Sequence, residues 1–192
     1  MRSLLAALAL GAGLLSGSAA SAESLGRPSY GGPGCPAGTA SAVLKGTTLS
    51  VRYSAYRVEA GGGTGNRFDR KACSLSLPID VPRGRSVAIV AADYRGWGRL
   101  PAGARGEFRA EYFFAGDTGP VAKRSLKGPL QGAFRLSTPG GPLVWSSCGK
   151  DVTLRTNSSL RVTTSGNKPA SLSIRSQDVS NALVYRLKWR DC

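Results

Sequence analysis

The chain has 192 residues, with 26 Lys or Arg against 11 Asp or Glu and no histidine, so its formal net charge at pH 7 is +15. The missing imidazole excludes Ser-His-Asp and Cys-His catalysis, a histidine general base and histidine metal ligation. The cationic excess predicts attraction to polyanions, and the alternative is that it only keeps the surface soluble.

The first 22 residues have the layout of a secretory signal peptide. Arg2 precedes an apolar run from Leu4 to Leu15, and small residues ending at Ala22 mark the expected cleavage point. The run is shorter than the roughly 20 apolar residues of a membrane-spanning helix. We therefore expect residues 1–22 to be a signal peptide and the protein to be secreted, extracellular or periplasmic, without a transmembrane anchor. Residues 23–192 are expected to form one domain, with 23–34 as a flexible N-terminal segment.

Four cysteines follow the predicted signal peptide, at positions 35, 73, 148 and 192. An even number in an exported chain predicts two disulfides, for which three pairings are possible. We favour the pairs that are neighbours along the chain, Cys35–Cys73 and Cys148–Cys192. Each would close a loop of about 40 residues and stabilise the fold by on the order of 4 kcal/mol. Without histidine or a CxxC spacing, we expect no metal site and no cofactor.

Short segments of alternating apolar and polar residues follow one another along the chain. They are LKGTTLSVRY, CSLSLPIDV, RSVAIVAADY, GEFRAEYFF, SSLRVTTS, SLSIRS and ALVYRLKW. Period-two alternation broken by Gly, Pro, Ser and Asn is typical of antiparallel strands. The sequence therefore predicts an all-β protein, an antiparallel β-sandwich of about eight to ten short strands with two disulfides. RSVAIVAADY is apolar at both parities, which favours a central strand covered on two sides.

The stretch DYRGWG, residues 93–98, follows that most apolar strand and admits two interpretations. Gly96 and Gly98 permit a positive φ or a bulge, which would turn Trp97 out of register. In the favoured interpretation the aromatic rings pack at the core edge and the aspartate pairs with an arginine such as Arg95 or Arg109. In the other, the stretch forms an exposed patch that stacks on sugars or bases. The candidate ligand-binding residues are then Asp93, Tyr94, Arg95 and Trp97.

The last segment, ALVYRLKWRDC, predicts a second candidate surface. If Leu183, Tyr185, Leu187 and Trp189 face the core, the period of two turns the intervening cations outward. These three residues would be about 7 Å apart and could bind a polyanion, although a solvated sheet face would have the same pattern. They are Arg186, Lys188 and Arg190.

Motifs around the cysteines and tryptophans resemble one family. They are GCPAG at 34–38, RKAC at 70–73, DYRG at 93–96, WSSCG at 145–149, LRV at 160–162 and KWRDC at 188–192. Together they are similar to the secreted family of domains of unknown function 4360, found in bacteria and fungi. The resemblance spans nearly the whole chain after residue 22 and implies secretion, disulfides and a β-rich fold. It implies no catalytic residue.

Two functional hypotheses follow. The favoured one is a non-catalytic binding or interaction module with affinity for extracellular polyanions or an envelope partner. Its partner would be an acidic polysaccharide, a wall polymer or a partner protein, with nucleic acid as an open alternative. The other hypothesis is a histidine-free hydrolase or lyase that acts on an extracellular polymer. Its carboxylates would be Asp93, Glu107 or Glu111, assisted by Tyr94 or Tyr112.

Overall fold

A computed structural model describes residues 23–139, 143–175 and 182–192, so the predicted signal peptide lies outside the described residues. These residues form thirteen β-strands and one short 3-10 turn, Gly62–Thr64. The strands are β1 (Ser24–Leu25), β2 (Ser29–Gly31), β3 (Ala40–Lys45), β4 (Thr48–Tyr53), β5 (Arg57–Ala60), β6 (Phe68–Asp80), β7 (Arg85–Leu100), β8 (Arg105–Phe114), β9 (Val121–Lys127), β10 (Leu130–Pro139), β11 (Val152–Thr163), β12 (Ala170–Ser173) and β13 (Leu183–Asp191).

The strands form two antiparallel sheets that pack face to face. In the first sheet the order is β1–β6–β11–β8–β9, with β2 also paired to β6. In the second the order is β3–β4–β13–β7–β12–β5, with β10 on the other edge of β7. The predicted all-β antiparallel sandwich is confirmed. The strands are more numerous than expected because segments such as β9 and β10 were not among the predicted strands, and β7 pairs with β13 along its first part and with β12 along its end.

The space between the sheets is filled by the alternate side chains of each strand. Large residues such as Leu77, Phe108 and Leu160 are 1% exposed or less, and burying each stabilises the fold by roughly 1.5–3 kcal/mol. Hydroxyl groups join the two sheets through this core. The Tyr185 hydroxyl is hydrogen-bonded to the Thr156 hydroxyl of β11. The hydroxyls of Tyr56 and Ser158, 3.1 Å apart, form a second such pair across the core.

Strand β7 contains a bulge near its middle, which contributes to the apolar pattern at both parities. Its pairing with β13 passes from Ala91 directly to Ile89, so Val90 is skipped. Before the bulge Val87 faces the core, and after it Ala92 and Tyr94 do. The change of parity accounts for part of the pattern. Ser86 and Ala88, on the side opposite Val87, are also buried, which agrees with the predicted covering on two sides in the first part of the strand.

The two glycines of DYRGWG have a different role from the one expected. Neither Gly96 nor Gly98 has a positive φ, and β7 pairs regularly with β10 through both of them, so the predicted irregularity at this stretch is wrong. Both face the core. A Cβ at Gly96 would lie 2.3 Å from a ring carbon of Phe134 and 2.5 Å from the carbonyl oxygen of Ser173, and one at Gly98 would lie 2.8 Å from Leu172. The glycines are needed because neighbouring strands occupy the space of a side chain.

The two disulfides hold the ends of the chain against the sandwich. Cys35 is bonded to Cys73 of β6, and Cys148 is bonded to Cys192, directly after β13. These are the pairs that chain adjacency favours. Within the segment 23–34, for which the sequence predicts flexibility, β1 and β2 are both hydrogen-bonded to β6. Both ends of the described chain are therefore tied to long central strands.

The packing at the glycines predicts a graded series of alanine variants. We expect Gly96→Ala to lower the free energy of unfolding by about 1–3 kcal/mol, because the added methyl meets a backbone oxygen and a ring. Gly98→Ala should cost less, since the atom it meets is the end of a leucine side chain. Gly132→Ala, directly opposite Gly98 on β10 and without a neighbour within 4 Å, is the control. Urea unfolding measures the series, and equal stability of all three variants would contradict this account.

Candidate functional site

The outward side of the second sheet carries an excess of basic side chains, and we call this surface the basic face. Its members alternate along their strands with buried residues, and all but Arg95 are largely exposed. Two carboxylates, Asp93 and Glu59, lie among them. The nine basic residues are Lys45, Arg52, Arg57, Arg95, Arg99, Arg135, Arg186, Lys188 and Arg190.

Asp93 lies at the centre of the basic face and joins three strands. Its Oδ1 accepts hydrogen bonds from the Ser137 hydroxyl at 2.6 Å and from Arg135 Nη2 at 2.9 Å, both on β10. Its Oδ2 lies 3.6 Å from Arg186 Nη2 on β13. The carboxylate side chain is 8% exposed, whereas those of Arg135 and Arg186 are 53% and 64% exposed. Two solvent-facing guanidinium groups are thus held over a buried acid.

The electrostatic environment keeps Asp93 ionised. Burial alone would raise the pKa of its carboxyl, but the hydrogen bonds from Ser137 and Arg135 and the charges of Arg135 and Arg186 outweigh that effect. The net result is a pKa below the usual 3.8. At neutral pH the cluster therefore contains one negative and two positive charges.

The ridge predicted on β13 faces outward, but its three cations are not equivalent. Leu183, Tyr185 and Leu187 are all less than 5% exposed, as the alternation predicts. Arg186 contacts Asp93, while the Arg190 guanidinium lies 4.1 Å from the centre of the Trp145 ring. Lys188 is exposed and lies between them. Arg190 therefore covers an aromatic ring.

Only part of the predicted DYRGWG patch lies on the basic face. Asp93, Arg95 and Trp97 share the outward side, and Trp97 is half-buried between Ala133 of β10 and Ser173 of β12. Tyr94 points the other way and is 1% exposed. It packs against Phe108, with ring centroids 5.1 Å apart, and burial raises the pKa of its hydroxyl well above 10.0. Tyr94 is a core residue and cannot contact a ligand on this face.

The residues of β10 that complete the site were missed by the sequence interpretation. Segment 130–139 was not included among the expected strands, although Gln131, Ala133, Arg135 and Ser137 alternate there with less exposed residues. The expected arginine partners of Asp93 were Arg95 or Arg109. The actual partners come from strands whose register the sequence does not specify.

The residues of the hydrolase hypothesis are not assembled into one site. Glu107 and Glu111 point outward from the first sheet, and Glu107 is 2.9 Å from Lys123 and 3.9 Å from Arg161. Asp93 points outward from the second sheet, so the core separates it from both glutamates. Tyr112 is buried between the sheets, where it shares a hydrogen bond with a threonine of β10. Among the described residues, no group of three acids or cysteines is placed to hold a metal ion.

Three comparisons relate the chain to other proteins. Residues 24–192 match the model of the domain of unknown function family DUF4360. An "Uncharacterized secreted protein" of Arthroderma benhamiae is 32% identical over 169 residues, covering 85% of this chain and 69% of the relative. A solved structure of TmCBM61 in complex with β-1,4-galactotriose is similar over 86% of this chain and 88% of that one, at 9% identity and a TM-score of 0.31. So loose a similarity says nothing about what this chain binds. No helix in the described part is long and apolar enough to span a bilayer.

The low pKa of Asp93 predicts how stability depends on pH. Because the folded-state pKa is depressed, the stabilisation is present above the unfolded pKa of about 3.9 and is lost as the pH falls through the folded value. We expect Asp93→Asn to lower the free energy of unfolding at pH 7 by about 1–3 kcal/mol. The gap between the variant and the wild type should close as the pH falls below about 4.

The control for this variant is Glu59→Gln, which removes an exposed carboxylate from the same face and should change stability by less than about 1 kcal/mol. Denaturant unfolding from pH 7 to pH 2 measures both. A constant difference between Asp93→Asn and the wild type over this range would show that the charge of Asp93 does not contribute.

Proposed function

The chain is a secreted member of the DUF4360 family, and from that premise we propose that it is a binding module whose basic face holds extracellular polyanions. The observation that carries the proposal is that the described residues of this outward surface include nine basic residues and two acids. On the outward side of the first sheet the described residues include seven basic residues and three acids, and Glu107 and Glu111 alternate there with the basic residues of β8. The two outer surfaces therefore differ in charge, and a polyanion should prefer the basic face.

The geometry of a sheet suits a long anionic polymer. Neighbouring strands are about 4.8 Å apart and outward residues of one strand about 6.7 Å apart, so the cations form a lattice rather than a point. Lys45, Thr48 and Arg186 lie in one row across β3, β4 and β13. A polymer that lies across these rows can contact several cations and release counterions as it binds, so affinity should fall steeply with salt.

The cluster around Asp93 supports the proposal further, since it orients two guanidinium groups before a ligand arrives. Arg135 and Arg186 contact opposite oxygens of the same carboxylate from the strands on either side of β7. Restraining a long side chain in this way lowers the entropy that it loses when it binds. The planar guanidinium donates paired hydrogen bonds, which match carboxylate, sulfate or phosphate groups. Acidic polysaccharides and wall polymers carry such groups at regular intervals.

A charge-matched pair of variants tests where binding occurs. The basic-face variant combines Lys45→Gln, Arg186→Gln and Lys188→Gln, which leaves Arg135 in place beside Asp93. We expect it to elute from immobilised polygalacturonate at lower salt, and the slope of log affinity against log salt to fall by about 2.

The control combines Arg105→Gln, Arg109→Gln and Arg155→Gln, which remove the same charge from the outward side of the first sheet. It should keep most of the wild-type retention. Equal weakening by the two triple variants would mean that net charge alone drives binding, and no weakening by either would refute the proposal.

Asp93 supplies a second test in which removal of a charged residue should improve binding. Its carboxylate competes with any incoming anion for Arg135 and Arg186. Asp93→Asn should therefore bind polygalacturonate about two- to fivefold more tightly, which corresponds to roughly 0.4–1 kcal/mol and is within the range measured for exposed ion pairs. Isothermal titration at fixed salt measures the change, with Glu59→Gln as the control for net charge. Weaker binding by Asp93→Asn would mean that the orientation of Arg135 and Arg186 by the carboxylate outweighs its competition with the ligand.

A further inference from the structure

The second sheet ends beside a pocket of about 540 Å3. It forms where β7 enters the turn after Leu100, where β10 begins, and where the chain approaches β12. This volume is within the range of small-molecule sites. The described residues with polar side chains that line it are Arg99, Gln131 and Lys168.

The polar groups of the pocket approach it from three separate segments. Arg99 and Gln131 are directly opposite each other across β7 and β10, and Lys168 comes from the loop before β12. None of the described residues that line the pocket is a carboxylate. Neither Arg99 nor Lys168 forms an ion pair with another residue that the structure describes, so both cations can bind an anion without breaking an internal contact.

The rest of the pocket wall is aliphatic and rigid. Three prolines line it together with Leu100 and Leu130, and the proline ring fixes the backbone and offers no N–H group. Such a wall can pack against the apolar face of a sugar ring, while the amide of Gln131 can exchange hydrogen bonds with hydroxyl groups. The prolines are Pro101, Pro129 and Pro169.

The pocket is continuous with the basic face. Arg99 belongs to that face and follows the half-buried Trp97 by two residues, which places the two side chains about 6.7 Å apart on the same side of β7. The next outward pair along the sheet is Arg95 and Arg135. A ligand that occupies the pocket can therefore extend over Trp97 towards these arginines.

From this arrangement we propose that the pocket binds one carboxylated sugar unit of an acidic polysaccharide, with Arg99 and Lys168 on its carboxylate and Gln131 on its hydroxyls. The inference rests on the proposed function, because the following sugar units would lie along the basic face. A single-stranded nucleic acid is a poorer fit, since bases bind by stacking on aromatic rings and this wall is made of prolines and leucines.

Titration with trigalacturonate, followed by calorimetry, tests the pocket. Arg99→Gln and Lys168→Gln should each weaken binding of the trimer about tenfold. Arg99→Lys should recover little, since lysine lacks the paired donors of the guanidinium group. Methyl-esterified trigalacturonate, which has the same rings without the charge, should bind the wild type at least tenfold more weakly. Arg109→Gln, on the outward side of the first sheet, is the control, and it should leave the affinity for the trimer unchanged.

The outcomes separate the pocket from the basic face. One outcome is that the pocket variants bind the trimer as tightly as the wild type does while the basic-face variant loses its retention on polygalacturonate. In that case the pocket proposal is wrong and the proposed function stands. If neither set changes retention of the polymer, both are wrong. If a trinucleotide binds more tightly than trigalacturonate and loses its affinity in Arg99→Gln, the pocket is an anion site for nucleic acid and the sugar assignment is overturned.

Discussion

The alternation of strand β7 is the constraint on which both the core and the basic face depend. After its bulge at Val90, the even positions face the other sheet and the odd positions face outward. The inward side supplies Tyr94 and two glycines whose missing side chains admit Phe134 and Leu172. The outward side supplies Asp93, Arg95, Trp97 and Arg99. A shift of one residue in this strand would move the charges into the core, so the packing that fixes its register also fixes the surface.

Asp93 connects that register to the surface chemistry. A nearly buried carboxylate is stable only with partners, and its partners are supplied by the strands on both sides of β7. The same contacts orient two arginines that remain more than half exposed. One acid thus serves the stability of the sheet and the arrangement of the cations, and it also limits their affinity because it partly neutralises them.

The sequence predicts the class of fold well because alternation is a local property. It indicated which side of β13 carries Arg186, Lys188 and Arg190, and chain adjacency favoured the two cysteine pairs that the structure contains. It could not predict the partners of Asp93, because alternation specifies the side of a strand but not its neighbours or their register. Arg135 and Arg186 are brought to Asp93 from distant strands. The pocket beside Arg99 is formed by the ends of two strands together with turns and loops, for which the sequence offers no periodic signal.

The central claim is that polyanions bind on the outward side of the second sheet. The most direct measurement is an NMR titration of the isotope-labelled protein with a short galacturonate oligomer, following backbone amides and arginine side chains. The account predicts that the chemical shifts which change lie in β7, β10, β13 and the loop before β12, with the largest changes near Arg95, Arg99 and Arg135. Changes concentrated in β8 and β11 of the first sheet, or spread evenly over both outer surfaces, would contradict it.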